Sequence, residues 1–239
     1  MANTSALGVA LVVGEHKFMI AKSDATVNTS YDTKTTLRWG LNGKDLAGIV
    51  NNDKSDGITE KGYLPKPDGT YNPVSNLPGG YLSGDFTTWT AGALSDFNGA
   101  SNTAAIIAGY TEYGVSMDKR DMCAVLNTFN ASNNFKDWYV PALGQLALIY
   151  LNMTEINAAL AKIGGTALSG EYYSSSEQSI YYVWTLDLGI SRTITRSKAD
   201  DYHVRFVRNI LPKLKERVSK LESKSVELEN QLSNIYTKS

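Results

Sequence analysis

Two stretches with the two-residue hydrophobic period of strands enclose a stretch with the 3.6-residue period of helices, and that order restricts the fold more than any other feature of the chain. Over residues 5–22, Leu7, Val9, Leu11 and Val13 alternate, Gly14-Glu15-His16 turns, and Phe18-Met19-Ile20-Ala21 runs back, which predicts a β-hairpin. Helical spacing follows later. Ala104, Ala105, Ile106, Ile107 and Ala108 mark a helix over 102–110, and Met122, Val125, Leu126 and Phe129 mark one over 121–129. Pro141 is expected at the first position of a helix through Leu151, and Thr154 is expected to cap another that runs to Ile163 and stops at Gly164-Gly165. From Glu171 to Asn209 strands return, with Trp184, Leu186 and Leu188 pointing one way, Val183, Thr185 and Asp187 the other, and a break at Gly189. Strands, loops, helices and strands in that order predict an α+β fold. They argue against alternating βαβ units and a parallel dinucleotide-binding sheet.

Residues 23–100 are rich in Asn, Asp, Gly, Thr and Pro, with turn signals at Asn42-Gly43, Asp56-Gly57, Pro67-Asp68-Gly69 and Pro78-Gly79-Gly80, so long loops are expected there. The character changes again at Pro212. Leu214, Leu221, Leu228 and Ile235 recur every seven residues, and Leu211, Val218, Ser225 and Leu232 fill the alternate core position. A seam of this kind predicts a parallel coiled coil, with Arg217–Glu222 and Lys224–Glu229 as opposite charges across it. Arg217-Val218-Ser219-Lys220-Leu221-Glu222 fits an Arg-apolar-x-x-apolar-Glu pattern of short parallel trimers, so a homotrimer is favoured over a dimer. Two domains are therefore expected: a globular head over 1–210 and an oligomerisation helix over 211–239.

At 239 residues, 42% apolar and 10% aromatic, the chain has material for a sizeable core. A net charge of −1 gives no chain-wide attraction to nucleic acid or anionic lipid. The longest apolar run, Ala6 to Val13, is too short to span a bilayer. No basic residue precedes it and Glu15, His16 and Lys17 follow, so neither a signal peptide nor a membrane segment is expected.

Sites for chemistry are scarce. Asn51-Asn52-Asp53-Lys54-Ser55-Asp56-Gly57 resembles the start of a calcium loop but has no Gly at the sixth position and Gly62 where the twelfth-position Glu belongs, so an ordinary turn is expected and no metal. Cys123 lies among Met122, Ala124, Val125 and Leu126, which predicts a buried structural thiol. His203 is read as structural. No nucleophile-elbow, P-loop, zinc-helix or dinucleotide motif occurs, so neither a catalytic residue nor a cofactor is nominated.

One segment has binding composition. Tyr172, Tyr173, Tyr181, Tyr182 and Tyr202 accompany Trp184, several Ser and Thr, Arg192 and Arg196. Tyrosine supplies broad amphipathic contact at low rotamer cost, and small hydroxyl residues adapt their hydrogen bonds. Tyr181 and Tyr182 are adjacent, so both cannot face the core of one regular strand.

The blocks Trp138-Tyr139-Val140-Pro141-Ala142-Leu143-Gly144-Gln145-Leu146, Ile156-Asn157-Ala158-Ala159-Leu160, Gly164-Gly165, Tyr172-Tyr173-Ser174-Ser175-Ser176-Glu177, Trp184, Lys198 and Val204-Arg205-Phe206-Val207-Arg208 together resemble a motif series of C-type-lectin-like domains. That family includes bacterial surface proteins and the variable proteins of phage diversity-generating retroelements. Tyr173, Gln145 and Phe206 depart from the family's tryptophan, glutamate and proline. The resemblance implies a C-type-lectin-like fold with a variable segment over about 172–208. Its framework would be Ser174 to Glu177, Trp184, Gly189, Lys198, Val204, Arg205, Val207 and Arg208. Its ligand contacts would be Tyr173, Ile180, Tyr181, Tyr182, Thr185, Asp187, Arg192, Thr193, Thr195, Arg196, Asp200, Asp201 and Tyr202.

The expectation is a non-enzymatic protein that binds a cell-surface receptor, protein or glycan, at a phage fibre tip or on an extracellular surface, diversified by a retroelement. A bacterial surface or pilus-associated adhesin of the same fold without programmed diversity is the alternative. A carbohydrate-active enzyme using Asp53, Asp56, Asp68 or Asp85 ranks below both.

Overall fold

The computed structural model describes residues 5–49, 93–210 and 224. The seam from Leu211 to Ile235, the Asn51–Gly57 turn, and the acids Asp53, Asp56, Asp68 and Asp85 lie outside the described residues. The described chain is mixed α and β, with every named strand pair antiparallel.

Strands β1 (Gly8–Val13) and β2 (His16–Ala21) form the expected hairpin, in register from Gly8 opposite Ala21 to Val13 opposite His16. Three two-residue strands follow: β3 (Val27–Asn28), β4 (Thr33–Lys34) and β5 (Leu37–Arg38). A short 3₁₀ turn, Ala93–Ser95, precedes helices α1 (Gly99–Glu112), α2 (Met122–Ser132), α3 (Leu143–Leu151) and α4 (Met153–Lys162). Strands β6 (Glu171–Glu177), β7 (Tyr182–Asp187), β8 (Arg192–Ser197), β9 (Asp201–Tyr202) and β10 (Val207–Asn209) complete it. One sheet has the order β1-β2-β10, so a late strand closes on the opening hairpin. Another has the order β6-β7-β8, and β3-β4 and β5-β9 are two-stranded.

Two helix starts differ from expectation. Helix α3 begins two residues after Pro141, where Leu143 N–H donates to the distant Ser176 Oγ (2.9 Å) and Ala142 N–H to Gln145 Oε1 in the helix's own first turn (3.0 Å). Asn152, rather than Thr154, stands before α4, and its amide hydrogen-bonds back onto α3. The α4 terminus falls where expected: Gly164 takes φ +67, the left-handed backbone that glycine adopts without a Cβ clash.

The sheet β6-β7-β8 separates two cores. Tyr172, Trp184 and Leu186 pack with Phe18, Leu146 and Ile156 on one side. Tyr173 and Val183 pack with Trp39, Ile106, Trp138 and Phe206 on the other. Alternation along a strand thus sends the adjacent tyrosines 172 and 173 into different cores, both buried. Opposite β7, strand β6 slips register between Tyr173 and Glu177, and the displaced serines turn to α3: Ser175 N–H donates to Pro141 O (2.8 Å) and Ser176 Oγ caps Leu143. No helix among the described residues is long and apolar enough to cross a membrane.

Candidate functional site

Cross-strand partners share a face of the sheet, so the β6–β7 and β7–β8 registers sort eight of the thirteen expected contact residues. Val183 pairs with Arg196, Thr185 with Ile194 and Asp187 with Arg192, which puts Asp187, Arg192 and Arg196 on the face of Tyr173. Tyr182 pairs with Ser197, Trp184 with Thr195 and Leu186 with Thr193, which puts Tyr182, Thr193 and Thr195 on the opposite face. Tyr182 and Asp187 begin and end β7, roughly 17 Å apart along the strand. The expected set therefore forms no single continuous surface.

Three of its members are corrections. Tyr173, Thr185 and Thr193 are fully buried. Tyr173 inserts its ring under Tyr202 (5.0 Å, edge to face) and its hydroxyl donates to Ser197 O (2.6 Å) and Asp200 O (2.9 Å), while burial pushes its ionisation well above the usual range. Thr185 Oγ1 is engaged with Glu171 and with Ile194 O (2.9 Å). The physical reason is that β7 is covered on both faces, so the positions that the resemblance assigned to ligand contact on this strand are enclosed.

Others have structural partners, Arg196 and Asp187 half-buried and Asp201 exposed. Arg196 grips Glu171 in a bidentate pair (2.7 and 2.9 Å), which raises its pKa, and lies 5.5 Å from the Tyr202 ring. Asp201 pairs with Arg120 (2.5 Å). Asp187 Oδ1 accepts Gly189 N–H (2.8 Å) and so shapes the β7–β8 turn. Asp200 is exposed, Thr195 and Arg192 half-buried.

What remains is an apex. Ile180, Tyr181 and Tyr182, where the chain passes from β6 to β7, are 37%, 51% and 48% exposed. Their backbone is satisfied from within: Gly43 N–H donates to Ile180 O (2.8 Å), Lys198 N–H to Tyr181 O (2.9 Å), Gln178 N–H to Tyr182 O (2.9 Å), and Tyr182 N–H to Ser179 Oγ (3.2 Å). Sequence reasoning missed the 41–46 segment that flanks this apex. Gly43, at φ +78, lies against the Tyr181 ring, and Lys44 sits over Tyr113 (4.9 Å). The Asn42-Gly43 signal marked a turn but carried no hint of a partner more than a hundred residues away.

The framework residues are buried and engaged, apart from Gly189 in the β7–β8 turn. Ser174 Oγ donates to Trp184 O (2.7 Å), Trp39 Nε1 to Ser174 O (2.9 Å), and Arg208 makes a bidentate pair with Asp137 (2.8 and 2.9 Å). Glu177 and Lys198 form a fully buried ion pair. His203 contacts Thr35 O through Nδ1 (3.1 Å), a structural role. A separate groove of about 800 Å³, between the chain before β1, the segment after β2 and α2, is lined by Leu7, Asp24, Val27, Val125 and Phe129 among others and shares no residue with the apex. Among the described residues no group of three or more His, Cys, Asp or Glu side chains is placed to hold a metal ion.

Cys123 is buried as expected, and burial pushes its thiol far above the reactive range. In the native protein Cys123 is expected to resist Ellman's reagent for hours while denatured protein labels at once. Prompt native labelling would contradict its placement.

No protein-family profile matches the chain, and no curated protein matches it. A crystal structure of a fimbrial protein from Bacteroides ovatus overlays with a TM-score of 0.47 at 15% identity, covering 82% of this chain and 36% of that one.

Proposed function

We propose that this chain is a non-enzymatic, surface-displayed ligand-binding protein of the adhesin type, with a C-type-lectin-like head whose contact surface centres on Ile180, Tyr181 and Tyr182. The observation that carries this reading is that three large side chains in succession are held outward on backbone whose own hydrogen bonds are satisfied inside the fold. Exposed aromatic and apolar groups on a rigid support bind at low entropic cost, and tyrosine is among the residues that most often dominate interface energies. The 211–239 tail supports multivalency: three heads on one coiled coil would gain roughly 10²–10⁴ over a single head on a repetitive cell surface.

The test measures binding of the labelled full chain to arrays of bacterial surface glycans and surface proteins. Tyr181→Ala/Tyr182→Ala is expected to weaken any array hit at least about tenfold, with stability kept within about 0.5 kcal/mol per site because both residues are exposed. Undiminished binding by that variant would reject the surface.

One observation favours diversification of the same surface as a second reading: buried, bonded framework positions alternate with exposed ones such as Tyr181 and Asp200. Side-chain exchange would be tolerated at the exposed positions and would damage the core at Tyr173, Thr185 and Thr193. A near copy of the DNA encoding 173–208, differing at adenines and lying beside a reverse transcriptase, is the expected genomic sign. A neighbourhood without one leaves the undiversified adhesin.

A further inference from the structure

We propose that the buried Glu177–Lys198 pair is a positioning element of the contact surface, locking the 41–46 segment against the 179–182 turn rather than supplying stability to the fold. The inference deepens the binding reading and rests on it for its purpose, but not for its test.

The hydrogen bonds of the pair carry the argument. Beyond the contact with each other, both charged groups direct their remaining capacity to the backbone of one segment. Lys198 Nζ donates to Lys44 O (2.8 Å), and Glu177 Oε2 accepts from Leu46 N–H (3.3 Å). Through its main chain Lys198 also holds the apex, donating N–H to Tyr181 O (2.9 Å), and its carbonyl accepts from Gly40 N–H (3.4 Å). Gly43 N–H closes the circuit on Ile180 O (2.8 Å). The Trp39 ring lies 4.7 Å from Nζ and helps to keep the site dry. The clamped segment needs holding: Leu41, a buried branched residue, sits at φ +49, a conformation that persists only where its surroundings impose it.

A buried ion pair is a poor source of net stability, because desolvation offsets its attraction. Replacement of both members by apolar groups of similar volume is often neutral or stabilising, whereas removal of one is not. Burial pushes the Glu177 carboxyl up and the Lys198 ammonium down, and each charge opposes the shift of the other, so the two stand or fall together. What apolar replacements cannot reproduce is the pair of hydrogen bonds to Lys44 O and Leu46 N–H.

The experiment is Glu177→Leu/Lys198→Met in the full chain, read by thermal melting and by hydrogen exchange with mass spectrometry. The expected result is a Tm within about 4 °C of the parent, or above it, with exchange about tenfold faster or more in peptides covering 41–46 and 178–181 and unchanged in α3 and in residues 183–187 of β7. A large fall in Tm, or failure to fold, would make the pair a stability element and overturn the proposal. Unchanged exchange in both segments at an unchanged Tm would overturn it equally. Neither readout involves a ligand, so this result and the array result fail separately.

Discussion

Arg205→Met is expected to lower unfolding stability by about 3 kcal/mol, which for a chain of 239 residues is a fall in Tm of roughly 6–12 °C. The guanidinium is fully buried and makes bonds in three directions: Nε to Asp24 Oδ1 (2.5 Å), one terminal nitrogen to Ala21 O (3.1 Å) and Thr166 O (3.2 Å), the other to Thr166 O and Oγ1 (both 3.2 Å). It thereby joins the end of β2, the segment after it and the connection from α4 to β6. Methionine fills most of the volume and restores none of those donors. It leaves two carbonyls unpaired and a carboxylate whose remaining partners include the Tyr172 hydroxyl (2.9 Å). Asp24 keeps 16% side-chain exposure, and that partial access to water sets the expected loss at the lower end of what breaking a buried pair costs. Lysine should rescue little, since a compact ammonium cannot span Asp24, Ala21 and Thr166 at once. Urea titration of both variants measures the effect, and a loss under about 1 kcal/mol would show that Arg205 only fills space.

Arg205 illustrates what was legible in the chain and what was not. Its place in the Val-Arg-x-Val-Arg block marked it as framework, but its partners lie 39 to 184 residues away and no local pattern names them. Local chemistry was readable: alternation set the β1–β2 hairpin, the 122–129 apolar spacing set α2, and Gly164 stopped α4. Non-local chemistry displaced the rest. Helix α3 begins at Leu143 because Ser176, from a strand formed later in the chain, supplies its cap, so Pro141 is left outside. The contact residues split for the same reason. Adjacency kept Tyr181 and Tyr182 from facing one core together but did not by itself expose them, since the equally adjacent Tyr172 and Tyr173 are both buried in different cores; the exposure of 181 and 182 comes from their place at the turn into β7. Thr185 and Thr193, which the resemblance placed among the ligand contacts, lie on opposite faces of the sheet and are both buried, and nothing within a dozen residues of either reveals that both faces are covered.

That two-sided cover makes neighbouring residues on β7 differ sharply in energetic weight. Trp184→Ala is expected to cost about 3–5 kcal/mol, the range for a large aromatic deleted from a packed core, whereas Tyr182→Ala, two residues away, should stay within about 0.5 kcal/mol. Trp184 is fully buried on the central strand of its sheet, in the core that contains Leu146 of α3, and its carbonyl accepts Ser174 Oγ (2.7 Å). Its indole therefore ties the sheet to the helices, and the void left by alanine is bounded by strands and helices that cannot both collapse into it. Tyr182 contributes a cross-strand neighbour at Ser197 and a half-exposed ring. Denaturant melts of the two variants side by side measure the contrast. Losses of equal size would mean that the apex is part of the core, and the separation of a load-carrying framework from an exchangeable surface would then fail at the strand where it is sharpest.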